Sequence, residues 1–277
     1  MKTILIINDD SAEAKHAAEF ALAIAKKAQA NLMLANNFVK THKTVELITV
    51  GEPDKIVLEE SFVTSLSEHL RNLNEGSEDF KPVINEMDVS GMDEARIAEM
   101  INQNKIWMMV KGMADKLPTI NAEHNLNIHI VLNKVLCPLL LIPVSWQIKD
   151  IERMVYIADL RYCRLHIVQY LADLARSWTA DLSIAHTSAK GLPDMAESYA
   201  LSVFSEEISP NVKYDHLFFN NIKERDLAKA VDVLINGMHN DLLVMVNHRF
   251  HFEELLGCYI TDTLPVHLSV PLFIFPY

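Results

Sequence analysis

Residues 3–11 read TILIINDDS, and residues 12–28 that follow read AEAKHAAEFALAIAKKA. Thr3 to Ile7 is a continuous apolar run, the pattern of a strand buried on both faces of a parallel sheet. Asn8, Asp9, Asp10 and Ser11 end that run with helix-capping chemistry. The alanine-rich segment from Ala12 to Ala28 places Phe20, Ala21, Ile24 and Ala28 on one stripe, which predicts a helix. Leu32 to Ala35 predicts a second short strand. Strand, helix, strand is the opening of a parallel βαβ unit.

The alternation continues. Asp54 to Asn72 predicts a helix and Pro82 to Val89 a strand. Asp93 to Gln103 predicts a helix with Ile97, Met100 and Ile101 as its apolar stripe. IWMMV, Ile106 to Val110, reads as another buried strand, followed by a polar stretch from Lys111 to Glu123. A helix from Leu126 to Leu136 leads into a last strand, PLLLIPV, Pro138 to Val144. Right-handed crossovers then wind helices onto both faces of the sheet.

The pattern restarts near residue 150, after a polar linker from Gln147 to Arg153. MVYIA, Met154 to Ala158, is an apolar strand followed by Asp159, as TILII leads to Asp9. A helix from Arg164 to Thr179 and a strand from Leu182 to His186 follow. CPLLLIP (Cys137 to Pro143) and VPLFIFP (Val270 to Pro276) match, with Pro138 against Pro271 and Pro143 against Pro276. Asp9 to Pro138 spans 129 residues and Asp159 to Pro271 spans 112. The difference of 17 is assigned to extra material around Lys40 to Asp54 in the first half. The expected fold is α/β: two doubly wound, mostly parallel five-stranded sheets packed as a pseudo-dimer. The expected domains are residues 1–146 and 152–277.

Composition narrows the function. Only 7 of the 277 residues are glycine, and the closest pair, Gly76 and Gly91, is 15 apart. Walker and Rossmann phosphate loops need glycines within about six residues, so that backbone approaches phosphate without a Cβ in the way. Both are excluded. With 37 acidic against 25 basic residues the net charge is −12, which disfavours nucleic acid and anionic membranes as partners. Three scattered cysteines point to a reducing compartment. The N-terminus lacks the pattern of a signal peptide, and no apolar run has the length of a membrane span. The expected location is cytoplasmic.

At IINDDS (Ile6 to Ser11), LAIAKKAQANLML (Leu22 to Leu34) and the two terminal motifs CPLLLIP and VPLFIFP, the chain resembles the universal stress protein family in its tandem two-domain form. The resemblance covers nearly the whole chain. It implies an adenine-nucleotide-binding fold and the pairing of two such domains across their last strands. Nucleotide-binding members carry G-x2-G-x9-G-[ST], whose backbone N–H groups cradle phosphates. Here the G-[ST] pair falls on Asn125 and Leu126 in the first half and on Cys258 and Tyr259 in the second. Gly112 matches the first glycine, and its counterpart falls near Asn247 or His248. The three-glycine loop is therefore missing twice, and ATP or AMP, the ligand that the resemblance implies, is disfavoured.

What survives of the family site is the Asp after each first strand, Asp9 and Asp159, at the carboxyl end where open sheets bind ligands. Helix capping is the competing role for each. Leu160 and Arg161 depart from the small polar residues expected beside Asp159. The candidate ligand-binding set is Asn8, Asp9, Asp10, Lys111, Gly112, Asp159, Asn247, His248 and Arg249. No catalytic residue and no metal site is expected. Within Asn247 to His251, anion contact and metal binding compete with a solvated loop. His124 and His129 have poor spacing for one helix face and read as packing or surface residues. The expected function is stress-related binding or regulation, by a homodimer with a small ligand or an unidentified protein partner. The alternative is a nucleotide-binding protein or weak nucleotide hydrolase using the first-strand Asp cleft.

Overall fold

The computed structural model describes residues 1–38, 65–75, 80–115, 126–261, 263–265 and 268–277. Ten strands among them form one sheet: β1 (Thr3–Asn8), β2 (Asn31–Asn36), β3 (Ile84–Asp88), β4 (Met108–Met113), β5 (Leu139–Pro143), β6 (Arg153–Ala158), β7 (Asp181–His186), β8 (Leu217–Asn221), β9 (Leu242–Val246) and β10 (Leu272–Phe275). Their order is β3-β2-β1-β4-β5-β10-β9-β6-β7-β8. Every neighbouring pair is parallel except β5 and β10. These two run antiparallel, with Leu141 opposite Leu272, Leu140 opposite Phe273 and Leu139 opposite Ile274. The two expected five-stranded sheets are thus the halves of one sheet.

The helices are α1 (Ala12–Ala28), α2 (Leu66–Glu75), α3 (Glu94–Gln103), α4 (Ile128–Leu132), α5 (Leu165–Arg176), α6 (Glu197–Ser202), α7 (Ser209–Val212), α8 (Leu227–Asp232) and α9 (Phe250–Leu256). A π-helical turn, Val203–Ile208, joins α6 to α7. No helix among the described residues is long and apolar enough to cross a membrane.

The two halves match in strand register. Thr3 pairs with Asn31 as Arg153 pairs with Asp181, an offset of 150. Leu32 pairs with Ile84 as Leu182 pairs with Leu217, which lowers the offset to 133 by β3 and β8. The 17 extra residues therefore fall between Asn36 and Ile84, although Lys40 to Asp54 itself lies outside the described residues. The matched prolines do matched work. Pro138 accepts from the Met109 amide at 2.8 Å and Pro271 from the Leu243 amide at 3.0 Å. After α1 and α5, Gln29 (φ 51°) and Thr179 (φ 57°) turn the chain at the same place.

Several boundaries differ from expectation. The helix expected from Asp54 begins, among the described residues, at Leu66. The helix expected over Leu126 to Leu136 is one short element, α4. Asn127 caps its start by accepting from the Ile130 amide, and Asn133 caps its end. The linker is docked. Trp146 and Ile151 are buried, and the Glu152 and Arg153 amides donate to Asp241. Strand β4 runs through Met113, so Lys111 and Gly112 lie within a strand, not a loop.

The reason is packing. A Cβ on Gly112 would sit 2.1 Å from the Glu13 carbonyl oxygen and 2.9 Å from the Ala14 nitrogen. The first turn of α1 therefore rests its backbone directly on β4. At the equivalent register, four residues beyond Leu242, the second half carries Val246. A valine side chain excludes such an approach. There α5 begins six residues after Asp159, whereas α1 begins three residues after Asp9.

Gly112→Ala is expected to destabilise the fold by about 1–3 kcal/mol, because helix and strand must separate to admit a methyl group. Urea unfolding of both proteins checks this. An unchanged midpoint would refute the close approach of α1 to β4.

Candidate functional site

Two clefts lie where open parallel sheets bind ligands, outside the carboxyl ends of the central strands of each half. They differ in content.

In the first half Asn8 ends β1 and is buried. Its side-chain amide donates to Asn36 Oδ1 at 2.7 Å, and the Asn36 amide donates to Glu86 Oε2 at 3.2 Å. This chain of amides ties the ends of β1, β2 and β3 into a polar floor. Asp9 faces α1. Its carboxylate accepts from the Ser11 amide at 3.2 Å and from the Ser11 hydroxyl. Ser11 in turn caps α1 by accepting from the Ala14 amide at 3.0 Å. Asp9 is thus a capping residue acting through Ser11. The adjacent Asp10 takes the left-handed conformation, φ 63°, with its amide donating to Asn8 Oδ1 at 3.1 Å. That turn leaves Asp10 exposed.

Asp10, and not Asp9, lines a cleft of about 440 Å³ with Asn8, Ser11, Lys15, Leu66, His69 and Asn72. His69 Nε2 lies 2.7 Å from Glu19 Oε1, which holds the ring against α1. The cleft offers a carboxylate, an ammonium, an imidazole, a hydroxyl and two amides around the apolar Ala12 and Leu66. The dipole at the start of α1 already faces Asp9, Asp10 and Glu13, which oppose a polyphosphate. Lys15, Leu66, His69 and Asn72 are absent from the sequence-derived set. Leu66, His69 and Asn72 recur every three residues on α2, a spacing that marks one helix face. Gly112 lies under α1 and Lys111 within β4, so neither joins this lining. The expected G-[ST] position at Asn125 lies outside the described residues, as does His124.

In the second half Asp159 is buried and bound on all sides. Arg161 donates to it through its amide at 3.1 Å, Nε at 2.8 Å and Nη2 at 2.6 Å, and the Ala189 amide donates at 3.0 Å. Burial pushes this carboxyl up. The Arg161 guanidinium and the two amides outweigh it, so the carboxyl is held below its ordinary value. Two histidines stand beside it. His186 Nδ1 accepts from the Leu160 amide at 3.2 Å. His251 is buried and bonds the Thr187 backbone, while its Nε2 has no partner. Burial, offset in part by Asp159, pushes His251 down to about 4. The cavity left by Asp159, Tyr162, Arg249 and His251 is about 20 Å³, room for one water. The second cleft is therefore filled by its own side chains.

The Asn247 to His251 segment is not a solvated loop, and it does not act as one cluster. Asn247 is buried, and its side-chain amide donates to Asn133 Oδ1 at 2.7 Å. His248, at φ 50°, places Nε2 2.9 Å from the same oxygen. Both thus bond the first half. Arg249 lies over two tyrosine rings, 5.3 Å from the Tyr162 centroid and 4.4 Å from that of Tyr277. His251 opens α9. His129 is buried beneath His248, Phe252 and Tyr259, with ring centroids at 5.3, 6.3 and 5.4 Å, in the packing role expected of it. Among the described residues no group of three or more His, Cys, Asp or Glu is placed to hold a metal.

No protein-family model and no curated protein matches the sequence. Solved structures match over nearly the whole chain. A universal stress protein from Archaeoglobus fulgidus DSM 4304 aligns over 99% of this chain and 98% of its own, at 13% identity and a TM-score of 0.59. A functionally unknown protein from Pseudomonas aeruginosa PAO1 aligns over 100% and 92%, at 13% identity and 0.50. A Pseudomonas aeruginosa UCBPP-PA14 protein assigned to the universal stress proteins aligns over 100% and 93%, also at 13% and 0.50. The chain has the universal stress protein fold over its full length.

The buried imidazole of His251 generates a pH dependence. Its value in the fold, about 4, lies below the ordinary 6.5. Between these values the unfolded chain binds the extra proton, so acid favours unfolding and this stability is complete only above pH 6.5. The expected loss is at most about 1.4 kcal/mol per pH unit. Urea midpoints from pH 7 to 4 should fall less steeply in His251→Gln than in the parent protein. Parallel acid limbs would show that His251 titrates as in water.

Proposed function

We propose that this chain, which has the universal stress protein fold, is a stress-related binding and regulatory protein of the cytoplasm. It takes a small polar ligand in the first-half cleft and does not bind ATP in the ordinary way. The single observation that carries this reading is the contrast between the clefts, about 440 Å³ in the first half and about 20 Å³ in the second. The first is within the usual size range of small-molecule sites, roughly 300–1,000 Å³, and the second is below it.

The chemistry of the open cleft favours a neutral, hydroxyl-bearing ligand of nucleoside size. Asp10 accepts hydrogen bonds, while Lys15, His69 and Asn72 donate them. The glycine loop that would cradle a triphosphate is absent from the sequence, and Asp10 repels one. Turnover is not part of the proposal, because the capping bonds of Asp9 engage the carboxylate that a hydrolase would use as base. Three free cysteines agree with a reducing cytoplasm. A homodimer would use surfaces other than β5 and β10, which are buried against each other.

Calorimetric titration of the full chain with adenosine, AMP and Mg-ATP tests the proposal. Adenosine is expected to bind, AMP more weakly, and Mg-ATP to give no heat at micromolar concentrations. Asp10→Asn, which keeps a residue tolerant of the left-handed conformation, should weaken adenosine binding sharply and leave the unfolding midpoint unchanged. Tight Mg-ATP binding would refute the proposal.

A further inference from the structure

A third cavity, of about 670 Å³, opens between the halves at the amino ends of β1 and β4. It shares no lining residue with the two carboxyl-end clefts, although Phe275 pairs with Val246 of the filled second-half cleft. Ile106, Trp107, Leu136, Tyr170, Phe275 and Pro276 give it an apolar wall. Leu136 is 87% exposed beside it. Lys2, Lys105 and His166 also line the cavity, and among the described residues no Asp or Glu does. The Lys2 ammonium lies 4.2 Å from the Trp107 ring centroid, at the edge of the apolar wall.

The match between the halves shows what such a place accommodates. Phe20 and Tyr170 are equivalent at the offset of 150 that relates β1 to β6. Beside Phe20 the chain just after β5 supplies Trp146, whose buried indole packs edge-on at 4.7 Å. Tyr170 is packed instead by Trp107, Phe273 and Phe275. Tyr170 stacks on Trp107 at 5.5 Å, and the space beyond stays open. One side is therefore sealed by an apolar group from the chain. The other keeps an apolar wall with cations at its margin.

The geometry points to a site for an amphipathic monoanion, an acyl-chain carboxylate. The chain lies along Trp107, Tyr170 and Phe275, and the carboxylate faces Lys2 and Lys105. Binding is reversible. Cys137 lines the cavity, but burial pushes its thiol up to about 12, so it holds no thiolate for covalent attachment.

Calorimetric titration of the full chain with octanoate, decanoate and dodecanoate, each below its micellar concentration, tests this. Each added methylene should tighten binding about fourfold. Lys2→Gln combined with Lys105→Gln should weaken dodecanoate about fivefold, as should replacing dodecanoate by dodecanol. Leu136→Glu, a change at an exposed position, should weaken it further by placing a carboxylate beside the cavity. Dodecanoate should also raise the thermal midpoint, since it binds the folded chain. Affinity independent of chain length, affinity unchanged in the variants, or a lowered midpoint would each overturn the proposal.

Discussion

The antiparallel pairing of β5 with β10 is the constraint on which the rest of the molecule depends. Leu139, Leu140, Leu141, Leu272, Phe273 and Ile274 face one another across it and are all buried. Burial of side chains of this kind contributes about 1.5–3 kcal/mol each. Apart, each half would present an apolar strand edge, an invitation to aggregate. Joined, the halves have edges only at β3 and β8, which are mixed in polarity. Because the joint is antiparallel, the parallel strands of the two halves point in opposite directions. The two carboxyl-end clefts consequently open at opposite ends of the sheet. Each half also sets its amino end beside the other's carboxyl end, which brings Asn133 to Asn247 and His248.

Within this near-symmetric frame, single residues make the halves unequal. Gly112 lets the backbone of α1 settle onto β4, and the chain from Asp9 enters the helix directly. Val246 prevents the same approach in the second half, and the residues between Asp159 and α5 form a 3-10 turn instead. That turn carries Arg161 back onto Asp159, where it makes the charged contacts that a ligand would otherwise make. The buried pair and its neighbours His186 and His251 leave no room for a guest. The filled cleft thus differs from the open one by the turn that carries Arg161 and by the histidines packed beside Asp159.

Most of the strands were legible in the sequence because parallel strands buried on both faces are continuous apolar runs. Strand β9, Leu242–Val246, is such a run, with all five side chains buried. The matching of the two halves was legible from Asp9, Asp159 and the terminal prolines, and the 17-residue difference between them follows from their spacing. Strand β8, LFFNN, escaped because an edge strand lacks such a run and its side chains are only partly buried. The helices from Glu197 to Val212 escaped because a π-helical turn interrupts their period. The candidate site was less legible than the fold. Asp10 rather than Asp9 lines the open cleft, a difference set by one left-handed residue. The cleft's other wall comes from α2, far away in sequence. The role of Gly112 could be read only once α1 was seen resting on it.

Amide hydrogen exchange at β5 and β10 tests the central claim, that the two halves share one sheet through this joint. The account predicts that the amides bonded across the joint exchange only through global unfolding, as slowly as those of β1 and β4. Exchange as fast as that of the edge strands β3 and β8 would contradict it.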